Sequence, residues 1–522
     1  MKPFAGKKRL FLCLSCIALA ALTFPAFAAD TGVVSKDAKA AEQRTPAVVS
    51  VPARESRVLL SSDIGGRIVS YEATAGFMPL FGEDEKEKAS VFYVSYERTD
   101  DVPAQRERPV TFAFNGGPGS AALLLHLGAF GPKTLAFGDG GSASPEPPFD
   151  LVDNASSLLD LTDLVFIDPV ETGYSRATEQ KDVKSYLGVR QDATSVAEFI
   201  RLWLTSRGRS GSPLFLAGES YGGVRSGVLA RLLQDKGMVP SGVILVSPVL
   251  SYGDIVPDST NDRPYVLTLP TMAAAACYHG VIAPRLRGKP EEAVREATEW
   301  AENEYLRLLW KGSDLSSRDL DEGAKKLSEL TGLSETTVRG VSLRIDPEVF
   351  AGEALREKRL FTSLYDTRLV APGNRYVFNE DPTMVLCGAP FVSSFLRYLS
   401  GTLQFSTNRE YRSLNKTLSR QWDYQSGAEW QGNGLTNVVE ELATAMRRDG
   451  GLRVFAALGR YDLVCCPDSV LYSLRQMDIP EDRKNNITTA WYEGGHMMYL
   501  NPAAKAKLKR DLVRFFEEIL KH

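Results

Sequence analysis

The sequence predicts an α/β fold in which a mostly parallel central sheet is flanked by helices. Short, almost continuous apolar runs occur at residues 110–114, 164–167, 214–217, 243–246 and 454–458. Runs of this length suit strands that are buried on both faces. Between them, residues 189–203 and 224–233 carry apolar side chains at three- and four-residue spacing, which is typical of helices packed on one face.

The first residues of the chain have the pattern of an export signal. A basic start is followed by an apolar run over residues 10–22 and by the small residues of Ala26-Phe27-Ala28. This predicts a secretory signal peptide over residues 1–28, and hence an exported protein, periplasmic or secreted. A membrane anchor is the alternative, but the run is short for a bilayer span, so we expect no membrane association after signal removal.

The rest of the chain divides into four predicted segments. Residues 29–51 have little apolar periodicity and predict a disordered leader. Residues 52–271 form the first part of the α/β core, which opens with an antiparallel meander near residues 57–97. Residues 272–430 predict a mainly helical cap insertion, and residues 431–522 the second part of the core.

The net charge of the chain bears on whether it binds nucleic acid, and its cysteines bear on disulfides and metal sites. The chain has 61 Lys and Arg against 65 Asp and Glu, a net charge of -4, so nothing in its charge favours nucleic acid as a partner. Beyond the signal it contains Cys277, Cys387, Cys465 and Cys466, whose pairing the sequence leaves open. Their spacing is not that of a zinc site, and we expect neither a metal nor a cofactor. The oligomeric state is left open.

The segment Gly218-Glu219-Ser220-Tyr221-Gly222 is the most informative part of the sequence. An apolar run precedes it and a helical pattern follows it, which is the context of a Gly-x-Ser-x-Gly nucleophile turn. Such a turn exposes its serine at the carboxyl end of a strand. We therefore predict that Ser220 is a nucleophile and that the sheet has the α/β-hydrolase arrangement.

A serine nucleophile needs a base and a residue that orients the base. His496 lies in a Gly-rich loop after the strand-like residues 488–492, whereas His126 lies in a predicted packed helix, His279 in the insertion and His522 at the terminus. Asp462 ends the apolar run that starts near residue 453. The order Ser220, Asp462, His496 is that of α/β-hydrolases, with Asp468 as a second candidate for the orienting acid.

The Gly-rich segment Asn115-Gly116-Gly117-Pro118-Gly119 follows another predicted buried strand. Glycines let backbone N–H groups approach a ligand, and acyl transfer needs such donors where the tetrahedral oxygen forms. We expect one donor from this loop and one from the backbone of Tyr221. The loop lacks the Lys-Ser/Thr ending of a phosphate-binding P-loop.

Together these segments resemble the serine carboxypeptidase family. The matching pieces are residues 115–119, 168–175, 218–222, 459–462 and 495–497, in the family's order. The resemblance implies an α/β-hydrolase fold and three sets of site residues. They are a triad of Ser220, Asp462 and His496, oxyanion donors at Gly117 and Tyr221, and a group at Asn115, Gly116 and Glu219 that binds the carboxylate of the substrate's C-terminus.

The sequence departs from the family pattern at two positions. A second Glu of the family is Ala129 here, and a Cys after the Gly-rich loop is Ser120, which removes a disulfide. In the family, the Glu that matches Glu219 is linked to acidic working pH because two carboxyls share a hydrogen bond only when one is protonated. Because Ala129 has no carboxyl group, binding of the substrate's carboxylate is weakened, and we expect the activity to have a less pronounced acid optimum. Cys465 matches a position where the family can carry an unpaired thiol near the site.

The leading hypothesis is a serine-type carboxypeptidase that cleaves the C-terminal peptide bond of a peptide substrate through an acyl-enzyme. The alternative is an esterase or acyltransferase with the same triad, which the loss of the second Glu favours. A non-catalytic binding protein with the same fold is the third reading, against which every triad and oxyanion position is filled.

Overall fold

The computed structural model of the protein describes residues 55–100, 108–138, 141, 145–373, 380–424 and 435–521. The predicted signal peptide (1–28), the predicted leader (29–51), His522 and the predicted boundary at residues 430 and 431 lie outside the described residues.

The strands are β1 (Glu55–Ile64), β2 (Arg67–Phe81), β3 (Glu87–Arg98), β4 (Val110–Phe114), β5 (Lys133–Leu135), β6 (Leu151–Asp153), β7 (Asp163–Ile167), β8 (Arg176–Ala177), β9 (Leu214–Glu219), β10 (Pro240–Val246), β11 (Leu360–Thr362), β12 (Val370–Pro372), β13 (Arg453–Gly459) and β14 (Ile487–Tyr492). The helices are α1 (Val189–Ser206), α2 (Tyr221–Asp235), α3 (Arg263–Tyr278), α4 (Pro290–Trp300), α5 (Leu306–Trp310), α6 (Ser317–Thr331), α7 (Glu335–Gly340), α8 (Pro347–Glu353), α9 (Pro382–Arg397), α10 (Val439–Arg448), α11 (Pro467–Arg475), α12 (Glu481–Lys484) and α13 (Pro502–Leu520).

The apolar runs of the sequence lie side by side in one ten-stranded sheet. Its order is β1-β2-β3-β7-β4-β9-β10-β13-β14, with β8 paired to β3. The first three strands form an antiparallel meander that also joins β7 antiparallel. From β7 to β14 every neighbouring pair is parallel. The predicted fold class, a mostly parallel sheet of the α/β-hydrolase type, is confirmed.

Helices cover both faces of this sheet, as the continuous apolar strands require. One apolar core lies between the sheet and α1, α2, α10 and α11. The other lies between the sheet and α9, α13 and a π-helical turn at Leu125–Phe130. Because β9, β13 and β14 run in the same direction, the residues that follow them meet at one edge of the sheet.

The region predicted as a mainly helical insertion consists of two parts. Helices α3 to α8 enclose an apolar core of their own, which also includes Leu463 of the main domain. Helix α9 instead packs its Cys387, Phe391 and Phe395 into the core beneath the central sheet. The first helix of the separate core, α3, begins at Arg263, whereas α9 packs with the main domain. The segment boundaries at residues 271 and 272 stay a prediction.

Among the described residues, no helix combines the length and the apolar character that a bilayer span requires.

Candidate active site

Ser220 occupies a sharp turn between β9 and α2. Its backbone has φ 61° and ψ -125°, a left-handed conformation that side-chain-bearing residues rarely adopt. The glycines around it are needed for close approach, since a Cβ at Gly218 would lie 2.2 Å from the carbonyl oxygen of Gly222. The turn is fixed by a 3.0 Å hydrogen bond from Ser220 N to Val246 O. This is the strained strand-to-helix geometry that presents a serine hydroxyl at the sheet edge.

Asp462 and His496 follow the adjacent strands β13 and β14 and form a buried pair. His496 Nδ1 lies 2.7 Å from Asp462 Oδ2. The other carboxylate oxygen, Oδ1, accepts backbone N–H bonds from Val464 at 2.8 Å and Cys465 at 2.9 Å. The carboxylate is thereby fixed in one orientation, and it holds the imidazole with its other nitrogen, Nε2, available for proton transfer.

The charge of Asp462 shapes the protonation of the imidazole. Burial alone would lower the pKa of His496, because it penalises the charged ring, but the Asp462 carboxylate and the Cys465 thiol together outweigh that effect. The pKa of His496 therefore lies well above its ordinary value of 6.5. The second aspartate candidate, Asp468, lies in the first turn of α11 beside Cys466 and does not pair with the histidine.

Cys465 lies between the serine and the histidine. Its Sγ is 4.0 Å from Ser220 Oγ, and the thiol also forms a hydrogen bond with the His496 side chain. In the described part of the chain, the side chains of Ser220 and His496 form no direct hydrogen bond with each other. Catalytic hydrogen bonds are often long until substrate binds, so this separation is compatible with proton transfer. All four cysteines of the described residues are free and buried.

Asp462, Cys465 and His496 are also the one group of described residues that could hold a metal ion. Their ligand atoms all lie within 4.8 Å of one another. Two of these atoms are already joined in the aspartate–histidine hydrogen bond, so a metal would compete with that pair.

The Gly-rich loop that follows β4 packs directly on the nucleophile turn. A Cβ on Gly116 would lie 2.4 Å from Tyr221 N and 2.9 Å from the Cβ of Ser220, so the contact requires glycine. Gly117 has φ +105°, which also favours glycine. The loop thus brings its backbone beside the N-terminus of α2, where N–H groups and the helix dipole favour a developing negative charge.

Residues 411–415 hold the outer side of this Gly-rich loop. Ser120 and Leu414 form an isolated antiparallel bridge. Flanking it, Ala121 N bonds to Ser413 O at 3.0 Å, and Asn415 N bonds to Gly119 O at 2.8 Å. Backbone hydrogen bonds therefore fix the loop at the position where Ser120 replaces the family's cysteine.

Glu219, next to Ser220, is a buried carboxyl with two neutral partners. Asn115 Nδ2 donates to its Oε2 at 2.9 Å, and the hydroxyl of Tyr499 donates to the same oxygen at 2.7 Å. Burial raises the pKa of Glu219 to about 7, despite the opposing influence of these bonds and of His496. Glu219 can therefore be protonated near neutral pH, as binding to another carboxylate requires.

Tyr499 contacts the Glu219 carboxyl, and Arg225 contacts Asn115. The sequence patterns did not identify either residue. Arg225 is buried, donates to Asn115 O at 2.7 Å and pairs with Asp192 at 2.7 Å, so it fixes the backbone of the Gly-rich loop. Ala129, in contrast, lies in the apolar core of the Leu125–Phe130 turn. Tyr499 is three residues after His496, and this proximity was the one signal that could have identified it.

A loop between β11 and β12 contacts both the aspartate and the histidine loops. His496 N donates to Tyr365 O at 2.6 Å, and Gly495 N donates to Asp366 Oδ2 at 3.0 Å. On the other side, Leu463 N donates to Leu364 O at 2.9 Å. Residues 364–368, which we call the clasp, therefore join the two loops that carry Asp462 and His496.

The remaining histidine candidates have other partners. His126 is buried, and its Nε2 lies 2.7 Å from the hydroxyl of Tyr96; burial lowers its pKa to about 3. His279 Nε2 bonds to Thr367 O of the clasp at 2.7 Å. Neither ring is part of the Ser220 site.

Comparison with known proteins agrees with this geometry. A family model described as serine carboxypeptidase matches residues 65–242, which include Ser220 and the Gly-rich loop but end before Asp462. Serine carboxypeptidase ctsa-3.2 of Caenorhabditis elegans is 31% identical over 156 residues, 29% of this chain and 28% of that protein. Serine carboxypeptidase-like 33 of Arabidopsis thaliana is 27% identical over 165 residues, 30% of this chain and 31% of that protein. The matches thus span less than a third of these relatives.

Similarity to solved structures extends over most of the chain. The prohormone-processing carboxypeptidase Kex1(delta)p of Saccharomyces cerevisiae aligns over 86% of this chain and 91% of its own, with a TM-score of 0.52 and 15% identity. At that identity the likeness concerns the fold. The family match and the curated relatives therefore show that the part of the chain around residues 65–242 is similar to serine carboxypeptidases, and the solved structure shows that the fold is shared over most of the chain.

Proposed function

We propose that the protein is a serine-type carboxypeptidase that removes C-terminal residues from a peptide substrate. The observation that carries the proposal is Glu219. It is a buried carboxyl beside the nucleophile, and burial raises its pKa to about 7. A protonated carboxyl can donate a charge-assisted hydrogen bond to the free carboxylate of a peptide, whereas an ester or amide end offers only a neutral carbonyl oxygen, which is a weaker acceptor.

The proposed reaction passes through an acyl-enzyme. Ser220 Oγ attacks the carbonyl carbon of the last peptide bond while His496 takes the hydroxyl proton. The N–H groups of Gly117 and Tyr221 stabilise the tetrahedral oxygen. The C–N bond then breaks, His496 returns the proton to the leaving amine, and the C-terminal residue departs. Water, activated by His496, hydrolyses the acyl-Ser220 ester and regenerates the enzyme.

The substrate's carboxylate is proposed to bind at Asn115, Gly116 and Glu219. Support comes from their contacts: Asn115 bonds to Glu219, and Gly116 packs against the backbone beside Ser220. The leaving residue of the peptide would then lie over this group, one bond away from the nucleophile.

The test compares three substrates that share one acyl part: a blocked dipeptide, its amide and its ester. We expect preference for the free acid below about pH 7, release of the C-terminal amino acid, and loss of turnover and of fluorophosphonate labelling in Ser220→Ala. In Glu219→Gln, the new amide can donate at any pH, so the fall in activity above about pH 7 should disappear. Indifference to the free carboxylate would refute the carboxypeptidase proposal.

An esterase or acyltransferase is the second candidate, and Ala129 is the observation that favours it. Its methyl group lies in an apolar core, and Glu219 has no second carboxyl bonded to it among the described residues. In that case the ester would be the best of the three substrates at every pH.

We also propose export, with cleavage after Ala28, followed by periplasmic or secreted activity. The proposal rests on the basic start and the short apolar run of residues 1–28. N-terminal sequencing of the mature protein tests it. A mature chain that begins at Met1 would contradict it.

A further inference from the structure

Both hydrogen bonds to Glu219 arrive at the same oxygen. Asn115 Nδ2 and the Tyr499 hydroxyl converge on Oε2, at 2.9 and 2.7 Å. No hydrogen bond to Oε1 is formed within the part of the chain that the structure describes. A carboxyl oxygen has two lone pairs, so two donors occupy Oε2 and direct a proton on Glu219 to Oε1.

Tyr499 is built into this position. It lies in the short turn Met498–Leu500 directly after the His496 loop, and its ring is buried. The ring packs so closely on Gly128 that a Cβ there would be 2.5 Å from Tyr499 Cε2. This packing fixes the ring, so the hydroxyl of Tyr499 supplies a fixed polar contact to Glu219.

We propose that Tyr499 is a positioning residue for C-terminal recognition, because its bond to Glu219 Oε2 turns Oε1 and its proton toward the carboxylate of the peptide. The inference rests on the proposed carboxypeptidase function and adds a residue to it. Tyr499 acts through Glu219 and does not itself take part in bond breaking.

The same bond affects when Glu219 is protonated. The groups that act on Glu219 besides Tyr499 and Asn115 are His496, which favours the charged carboxylate, and Asp462, which opposes it. Burial is the largest influence and raises the pKa, while the Tyr499 hydroxyl lowers it. The Cys387 thiol is also near, but burial raises its pKa to about 12, so it stays neutral in the working range. Loss of the Tyr499 hydroxyl should therefore let Glu219 keep its proton to higher pH.

The experiment compares Tyr499→Phe with a matched control, Tyr492→Phe. Tyr492 is also buried, and its hydroxyl donates to the carboxylate of Asp511 in α13 at 2.8 Å, with no bond to Glu219. Each variant of the full chain is assayed with a blocked dipeptide and its amide from about pH 5 to pH 9.

We expect Tyr499→Phe to lower kcat/KM for the free acid roughly 10-fold below its upper pH limit, mainly through KM. Turnover of the amide should stay within about 2-fold, because it has no carboxylate to orient. The upper limit of the free-acid profile should move to higher pH by about one pH unit. Tyr492→Phe should resemble the wild type in all three respects.

An equal loss on acid and amide, or an upper limit that stays or moves to lower pH, would overturn the inference. If the wild type prefers the acid and Tyr499→Phe keeps that preference and its pH limit, the inference alone is wrong. If the wild type ignores the carboxylate while fluorophosphonate still labels Ser220, the proposed function fails and the inference fails with it.

Discussion

Replacing Asp462 by Asn tests whether Asp462 orients His496 as the proposed catalytic base. In the structure, Asp462 Oδ2 faces His496 Nδ1 at 2.7 Å, while Oδ1 accepts N–H bonds from Val464 and Cys465. The carbonyl of the new amide can keep the two backbone bonds, which leaves its nitrogen facing the ring. An amide nitrogen is a donor, so Nδ1 must become an acceptor and the ring proton moves to Nε2. The nitrogen near Ser220 can then no longer accept the hydroxyl proton.

The size of the effect follows from what is lost. The variant loses general-base catalysis and the carboxylate that stabilises the imidazolium. We therefore expect kcat to fall about 1,000- to 10,000-fold, which corresponds to roughly 4 to 5.5 kcal/mol of transition-state stabilisation. The backbone contacts survive, so Tm should change by less than about 3 °C.

The assay is steady-state hydrolysis of a blocked dipeptide, with fluorophosphonate labelling as a second measure. The matched control is Asp468→Asn, because Asp468 is half-buried in the first turn of α11, only six residues from Asp462, and does not pair with the histidine. It should retain turnover within about 3-fold. If Asp462→Asn kept more than about a tenth of the activity, or if Asp468→Asn were the impaired variant, the assignment of Asp462 would be refuted.

Two further predictions concern residues around the triad. Asp366→Ala removes the acceptor of Gly495 N–H, 3.0 Å away, so kcat should fall roughly 10-fold with KM unchanged. If KM rose roughly 10-fold while kcat stayed the same, the clasp would not position the His496 loop for catalysis. Cys465 Sγ lies 4.0 Å from the Ser220 hydroxyl, so one equivalent of an organomercurial should inactivate the wild type. Cys465→Ala should stay active and resistant, and inactivation of that variant at the wild-type rate would place the reactive thiol elsewhere.

The sequence was sufficient to predict the elements that local patterns encode. The apolar runs correspond to β4, β7, β9, β10 and β13, because strands buried on both faces need continuous apolar residues. The turn at Ser220 could be recognised because Gly218 is required by a close backbone contact with Gly222, four residues later. The pairing of Asp462 with His496 followed from chain order, since both lie in loops that follow neighbouring parallel strands.

Contacts between distant segments could not be predicted in this way. The clasp at residues 364–368 has no motif of its own, and it acts through backbone carbonyls and one carboxylate that any loop could supply. Tyr499 reads as an ordinary aromatic residue, because its importance depends on a contact with Glu219, 280 positions away. Helix α9 has the same apolar periodicity whether it packs within an insertion or beneath the sheet, so its periodicity did not show which unit it joins.

The two titrating groups of the site impose opposite demands on pH. A carboxylate substrate needs Glu219 protonated, and its pKa of about 7 means that activity declines as the pH rises through neutrality. The base needs His496 unprotonated, and Asp462 holds the pKa of His496 well above 6.5, so activity also declines as the pH falls. For a blocked dipeptide we therefore expect a bell-shaped kcat/KM profile, because activity requires protonated Glu219 and unprotonated His496 at the same time. For its amide, which does not need protonated Glu219, we expect a rise through the lower limb and a plateau. A dipeptide profile that collapses above roughly pH 6 would contradict this reasoning, because Glu219 would then lose its proton earlier than its burial implies.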